Sequence, residues 1–179
     1  TDYSKYGNDG TVRGSALKFD GVDDYVDCGN DSSLNITDEI TIEAWVKLNE
    51  MNTCEGIVTK KYAGPQNGFA LYINTYETND RKIWFETYDG AYKSVSSGDN
   101  LITWNKWEHI VATANGSIGK IFLNGKEVGN GTVNLVSSSR NLIIGSFSTM
   151  SLLSNGTIDE VRIYNRSLTS EEIQEHYNH

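Results

Sequence analysis

Hydrophobic residues recur at every second position along most of this chain, and Asn-Gly or Asp-Gly pairs break the runs apart. In TIEAWVKL, Ile42, Ala44, Val46 and Leu48 alternate with Thr41, Glu43, Trp45 and Lys47. GFALYIN puts Phe69, Leu71 and Ile73 on one face, and IWFETY sets Ile83, Phe85 and Thr87 against Trp84, Glu86 and Tyr88. KWEHIVATAN, KIFLNGKEV, NLIIGSF and TIDEVRIYN are further strand candidates. A period of two is the pattern of strands, because successive side chains point to opposite faces; a helix repeats every 3.6 residues. The breaks fall at Asn67-Gly68, Asp89-Gly90, Asn115-Gly116, Asn124-Gly125 and Asn155-Gly156. Asn-Gly accepts the positive φ angles of the tightest hairpin turn, so KIFLNGKEV is the clearest hairpin. Strands at short, regular spacing predict an all-β fold, an antiparallel β-sandwich of the jelly-roll kind. Only the tail looks different. SLTSEEIQEHY offers Thr169 as an N-cap with Glu172 three residues on, a capping box that predicts a short C-terminal helix.

The 179 residues suit a single domain, 1–179, with no linker, repeat or second domain in the pattern. The abrupt opening TDYSKYGNDG reads as a piece excised from a larger surface protein. A net charge of −9 argues against nucleic acid, which needs clustered Lys and Arg, and against anionic lipid. No apolar run is long enough to insert into a membrane. Two cysteines, Cys28 and Cys54, cannot form a disulfide framework or a zinc site of usual spacing. They form one bridge in an oxidising compartment, or Cys28 is simply a small hydrophobe ending the strand that starts at Tyr25. Asn-X-Ser/Thr occurs at Asn30, Asn35, Asn115, Asn130, Asn155 and Asn165. Used as glycosylation sites, these would lie on surface loops of an exported protein, extracellular or at the cell surface.

Three kinds of site are conceivable. FDGVDDYVDCG packs Asp20, Asp23, Asp24 and Asp27 into eight positions. Asp20 and Gly21 end one strand, with Asp23 and Asp24 in the turn after it. Such oxygens suit calcium, which takes carboxylates and backbone carbonyls. They equally suit a turn, where aspartate bonds to its own backbone. Asp27 reads as a solvated strand residue. Catalysis finds little support. A glycosidase holds two carboxyls ~5–10 Å apart across the sugar, whereas strand periodicity puts Asp159 and Glu160 on opposite faces. His109 reads as a hydrogen-bonded core histidine, His176 and His179 as tail residues. The third site is aromatic. Trp84, Glu86 and Tyr88 share the strand face opposite Ile83 and Phe85, with Tyr92 and Tyr72 nearby. Ring faces stack on sugars and carboxylates bond to their hydroxyls. Trp45, Trp104 and Trp107 are expected in or beside the core.

The ordered series NDGTV, ALKFDGVDDYVDCG, SLNITDEITIEAWVK, NKWEHIVAT, KIFLNGKEV, NLIIGSF and GTIDEVRIYNRSLTSEEI resembles the laminin-G-like, concanavalin A-like jelly-roll domains of secreted and cell-surface proteins. The match runs from about Asn8 to the C-terminus. It departs from the pattern in one place: only Arg13, Gly14 and Ser15 separate NDGTV from ALKFDG. The resemblance implies two face-to-face antiparallel sheets with the first and last strands adjacent. It also implies that a structural calcium joins these ends, with Asp159 as a ligand beside Asp20. Members bind sugars, bind proteins or space other domains, and fold alone does not choose between these. The expectation is a non-catalytic binding module, carbohydrate-binding with a structural calcium. The alternative is an adhesin or spacer that binds a cell-surface protein or has no ligand of its own.

Overall fold

The computed structural model describes residues 16–62, 66–148 and 151–179. The NDGTV motif lies outside them. In chain order the strands are β1 (Leu17–Asp20), β2 (Val26–Asp27), β3 (Glu39–Leu48), β4 (Glu55–Thr59), β5 (Gly68–Ile73), β6 (Ile83–Tyr88) and β7 (Tyr92–Ser96). They continue as β8 (Glu108–Asn115), β9 (Ile118–Leu123), β10 (Lys126–Thr132), β11 (Ile143–Ile144), β12 (Ser146–Ser148), β13 (Ser151–Leu153) and β14 (Asn155–Tyr164). A single helix, α1 (Ser170–Asn178), closes the chain, and a 3-10 turn spans Ser32–Leu34.

Twelve of these strands form two six-stranded antiparallel sheets, and β12 and β13 pair with each other. Sheet A has the order β1-β14-β3-β8-β9-β10 and sheet B the order β2-β11-β4-β5-β6-β7. β1 and β14 are adjacent, with Leu17 opposite Ile158 and Asp20 opposite Asn155. The period-two residues meet between the sheets: Ile40, Ile42, Ala44, Val46, Ile110 and Ile121 from one side, Phe69, Leu71, Ile73, Ile83 and Phe85 from the other. Each is almost wholly buried, and each of the larger side chains, Ala44 excepted, stabilises the fold by roughly 1.5–3 kcal/mol.

The turns need three corrections. Asn124-Gly125 makes the expected tight hairpin, with φ of 51° and 77° and Leu123 paired to Lys126. In the β8–β9 hairpin the turn is one residue later, Gly116-Ser117, because Asn115 is itself paired to Ile118. Asn67-Gly68 leads into β5. Asn155-Gly156 is not a turn at all: it begins β14, opposite Asp20 and Phe19. Gly156 is needed there because a Cβ would stand 2.4 Å from the Lys47 carbonyl oxygen.

Helix α1 is capped as its sequence predicts, Thr169 accepting from the Glu172 amide while the Glu172 carboxylate accepts from the Thr169 amide. Ile173 and Leu168 pack on Val111 and Phe122, which lie on the outer face of sheet A. The helix thereby buries residues that period two would leave to solvent. Glu43 and His109 are wholly buried. Glu43 accepts from His109 Nε2 at 3.0 Å, His176 Nδ1 at 2.9 Å and Arg162 Nη1 at 3.1 Å. Burial alone would raise its pKa, but the hydrogen bonds and charges of His109 and His176 hold it down to about 2. His109 is thus a hydrogen-bonded histidine, as expected, whereas His176 is no frayed tail residue. Trp45 stacks on Tyr177 within this group. Trp104 packs against the core. Trp107 does not: 43% of it is exposed.

Candidate functional site

The outer face of sheet B is built differently. Along β6 the residues alternate between buried and half-buried, so Trp84, Glu86 and Tyr88 point outward as the sequence predicts. Strand register sets their neighbours. Trp84 lies between Tyr72 and Ser96, Glu86 between Ala70 and Ser94, and Tyr88 between Gly68 and Tyr92. Tyr72 and Trp84 have nearly parallel rings with centroids 6.1 Å apart. Tyr88 and Tyr92 meet edge to face at 4.9 Å. The Trp84 Nε1 atom is buried and has no hydrogen-bond partner.

Glu86 occupies the centre. Lys61 Nζ donates to its Oε1 at 2.6 Å, and the Tyr72 hydroxyl donates to its Oε2 at 3.4 Å. The side chain of Lys61 is 1% exposed and that of Glu86 16%. The ammonium also lies 5.4 Å from the Tyr92 ring centre and 5.1 Å from that of Phe147. Burial, and then the charge of Glu86, push the Tyr72 phenol far above its usual range. Burial and Glu86 also raise Tyr92. Tyr72 and Tyr92 therefore stay neutral phenols.

One side of this platform is covered by the β12–β13 hairpin, which folds over β4. Thr59 Oγ1 donates to the Ser146 carbonyl at 2.9 Å and Ser154 Oγ to the Gly56 carbonyl at 2.8 Å. Gly56 permits the contact, since a Cβ would lie 2.2 Å from the Phe147 amide nitrogen. Phe147 then meets Tyr72 edge to face at 5.0 Å. Neither Lys61 nor Phe147 is singled out by the sequence. Lys61 sits in a polar stretch after a strand, and Phe147 belongs to a run that reads as one more core strand.

The aspartates are only partly brought together. Carboxylate oxygens of Asp20, Asp23 and Asp24 lie within 4.8 Å of one another, all three exposed. The turn uses two of them. Asp20 Oδ1 accepts from the Val22 amide at 2.8 Å, and Asp24 Oδ2 from the Asp20 amide at 3.0 Å. Gly21 has φ +78° and packs against Asn155. Asp159 is elsewhere. Asp20 pairs with Asn155, so Asp159 is four residues further along β14, roughly 13 Å at strand rise. Its Oδ1 accepts from the neighbouring Glu160 amide, at a bulge between Asp159 and Arg162. Asp27 is an exposed strand residue.

The cysteines are also apart. Cys54 is buried beside Ala70 and Phe147, whereas Cys28 is exposed and the two are not joined. Cys28 follows Asp27, which aligns through Ile143 with Thr59, so the cysteines are offset by about six residues along the strands, ~20 Å. A disulfide needs Cα atoms about 4.4–6.8 Å apart. Five sequon asparagines, Asn30, Asn35, Asn115, Asn130 and Asn165, are exposed. Asn155 is half-buried and occupied, accepting from Asn49 at 2.7 Å and donating to Met51 Sδ.

A jelly-roll β-sandwich of the lectin type is the class that this architecture defines. The chain belongs to the concanavalin A-like lectin/glucanases superfamily, whose Laminin_G_3 model matches residues 20–174. No curated protein matches it in sequence. Among solved structures it resembles the Ruminococcus gnavus IT-sialidase CBM40 bound to α2,3-sialyllactose, with a TM-score of 0.74 and 14% identity over 91% of this chain and 95% of that one. It also resembles the binding domain of botulinum neurotoxin serotype G, with a TM-score of 0.67 and 16% identity over 86% of this chain and 40% of that one. A third neighbour is the binding domain of botulinum neurotoxin DC in complex with SialylT, with a TM-score of 0.60 and 15% identity over 79% of this chain and 35% of that one. The neighbours are binding domains, and at these identities the likeness is one of fold.

Proposed function

We propose that the chain is a non-catalytic glycan-binding module whose site is the outer face of sheet B. The observation that carries this reading is the platform of Tyr72, Trp84, Tyr88 and Tyr92 around Glu86. Half-exposed rings offer flat faces to the C–H side of a sugar, and Glu86 offers acceptor lone pairs to its hydroxyls. That two neighbours of the same fold are described with sialylated ligands supports a sugar as the ligand class. The test is a glycan array probed with the chain and with Trp84→Ala. Signals that vanish in the variant support the reading, and signals that persist place the site elsewhere.

Calcium and an exported setting belong to the same proposal. The calcium ligands are Asp20, Asp23 and Asp24, each keeping at least one oxygen beyond the turn's own hydrogen bonds. Hard oxygen donors of this kind suit calcium. The exposed sequons support an extracellular or cell-surface location, which intact mass from a glycosylating host would test.

A further inference from the structure

The platform's charge bears on which sugars it accepts. Lys61 lies beneath the rings, and only its partner Glu86 reaches solvent. Two lysines bordering the platform are matched as well. Lys82 Nζ, 5.8 Å from the Trp84 ring, pairs with Asp99 at 2.8 Å. Lys93 pairs with Asp89 at 2.9 Å, and Asp89 also accepts from Asn134. Hydrogen bonds from Lys93 and Asn134 hold the Asp89 carboxyl down to about 2, so it is ionised whenever a ligand arrives. Glu86 and Asp89 therefore stand at the platform as carboxylates, while Lys61, Lys82 and Lys93 are each paired to an acid. The whole chain adds a net charge of −9.

Resting on the glycan reading above, we infer that the platform selects neutral glycans and rejects acidic ones. A sugar carboxylate stacked on Trp84 would come to rest near Glu86, and the nearby cations are already engaged: Lys82 with Asp99, and Lys61 in a buried pair that it cannot leave without stranding both charges. A neutral sugar has no such conflict, because its hydroxyls donate to Glu86. Like charge near a partly desolvated carboxylate is repulsive and is only partly screened by salt. The chain thus shares its fold with a module described with sialyllactose while carrying a site of opposite preference.

The experiment is a titration of the chain with lactose-type neutral oligosaccharides and their α2,3-sialylated counterparts at low and high salt, beside an array of neutral, sialylated and uronic glycans. Neutral members are expected to bind at least tenfold more tightly, with the gap narrowing as salt rises. The double variant Lys61→Met with Glu86→Gln, which removes both charges together, should narrow it too. Equal or tighter binding of the sialylated or uronic members overturns the selectivity and leaves the glycan reading standing. Absence of binding to any array member overturns both.

Discussion

Glu43 on the outer face of sheet A and Glu86 on the outer face of sheet B start from similar surroundings. Each carboxylate sits among aromatic rings with a cationic or cationisable partner: His109, His176 and Arg162 for Glu43, Lys61 for Glu86. Their covers differ. Helix α1 lies across Glu43 and leaves it 0% exposed, while the β12–β13 hairpin covers only one flank of the other face and leaves Glu86 16% exposed. The same chemistry becomes a fastening under a full cover and a surface for a ligand under a partial one. An exposed carboxylate among rings is available to a second molecule, and a buried one only to its own chain.

Breaking the covered cluster should have the largest effect. Glu43→Ala would strand His109 and loosen α1, and should destabilise the fold by about 3–5 kcal/mol in urea unfolding. A loss below about 1 kcal/mol would show that the cluster is not a fastening. On the open face the loss should fall on binding instead. Trp84→Ala is expected to weaken glycan binding about 100-fold by calorimetry, with a smaller stability change than Glu43→Ala.

A third buried acid sharpens the contrast through pH. Glu55 is wholly buried in β4 and accepts from the Asn155 amide at 3.0 Å, while its Oε1 has no partner. Burial pushes its pKa up to about 8. Between the ordinary value of 4.5 and about 8, the folded chain holds a proton that the unfolded chain has released. Stability from Glu55 is therefore full below pH 4.5 and falls as pH rises through 8. Glu43 runs the other way: its folded pKa is depressed from 4.5 to about 2, so its contribution is present above 4.5 and fades as pH drops toward 2. Glu55→Gln should remove the alkaline loss, a gain of about 4 kcal/mol at pH 8 and less than about 1 kcal/mol at pH 5. Parallel urea curves at both pH values would refute it.

The smallest effect concerns the aspartate turn. Tenfold excess of calcium over its Kd should add about 1.4 kcal/mol, or about 3–6 °C in Tm for a chain of this size. Asp20→Asn should abolish the shift, whereas Asp159→Asn should leave it intact. A melt unmoved by calcium or chelator would make Asp20, Asp23 and Asp24 turn residues only.

Much of the frame was legible in the sequence. Alternation identified the inward residues of β3, β5 and β6, and Asn124-Gly125 located its hairpin, because both are local rules. The aromatic stripe of β6 was legible for the same reason. What alternation could not reveal was long-range cover. Nothing local says that Phe147 will lie on Tyr72, that Lys61 will run beneath Tyr92, or that His176 will reach Glu43, 133 positions away. Asp159 was misplaced relative to Asp20 for a related reason. Adjacent strands bring residues together only in register, and register is fixed by packing along the whole strand.

The strand order also sets a sequence of events in time. β5, β6 and β7 are consecutive and joined by direct antiparallel pairing, so the aromatic face can assemble from neighbours in the chain. Sheet A must bring Leu17 to Ile158, a closure across most of the polypeptide, and such distant pairings form slowly. Refolding followed by pulsed hydrogen exchange should protect the β5–β7 amides before those of β1 and β14. For an interval, then, the newly made chain would carry a ring-studded ribbon before it has a closed sandwich beneath it, and that ribbon is the part most exposed to unwanted association while folding is incomplete.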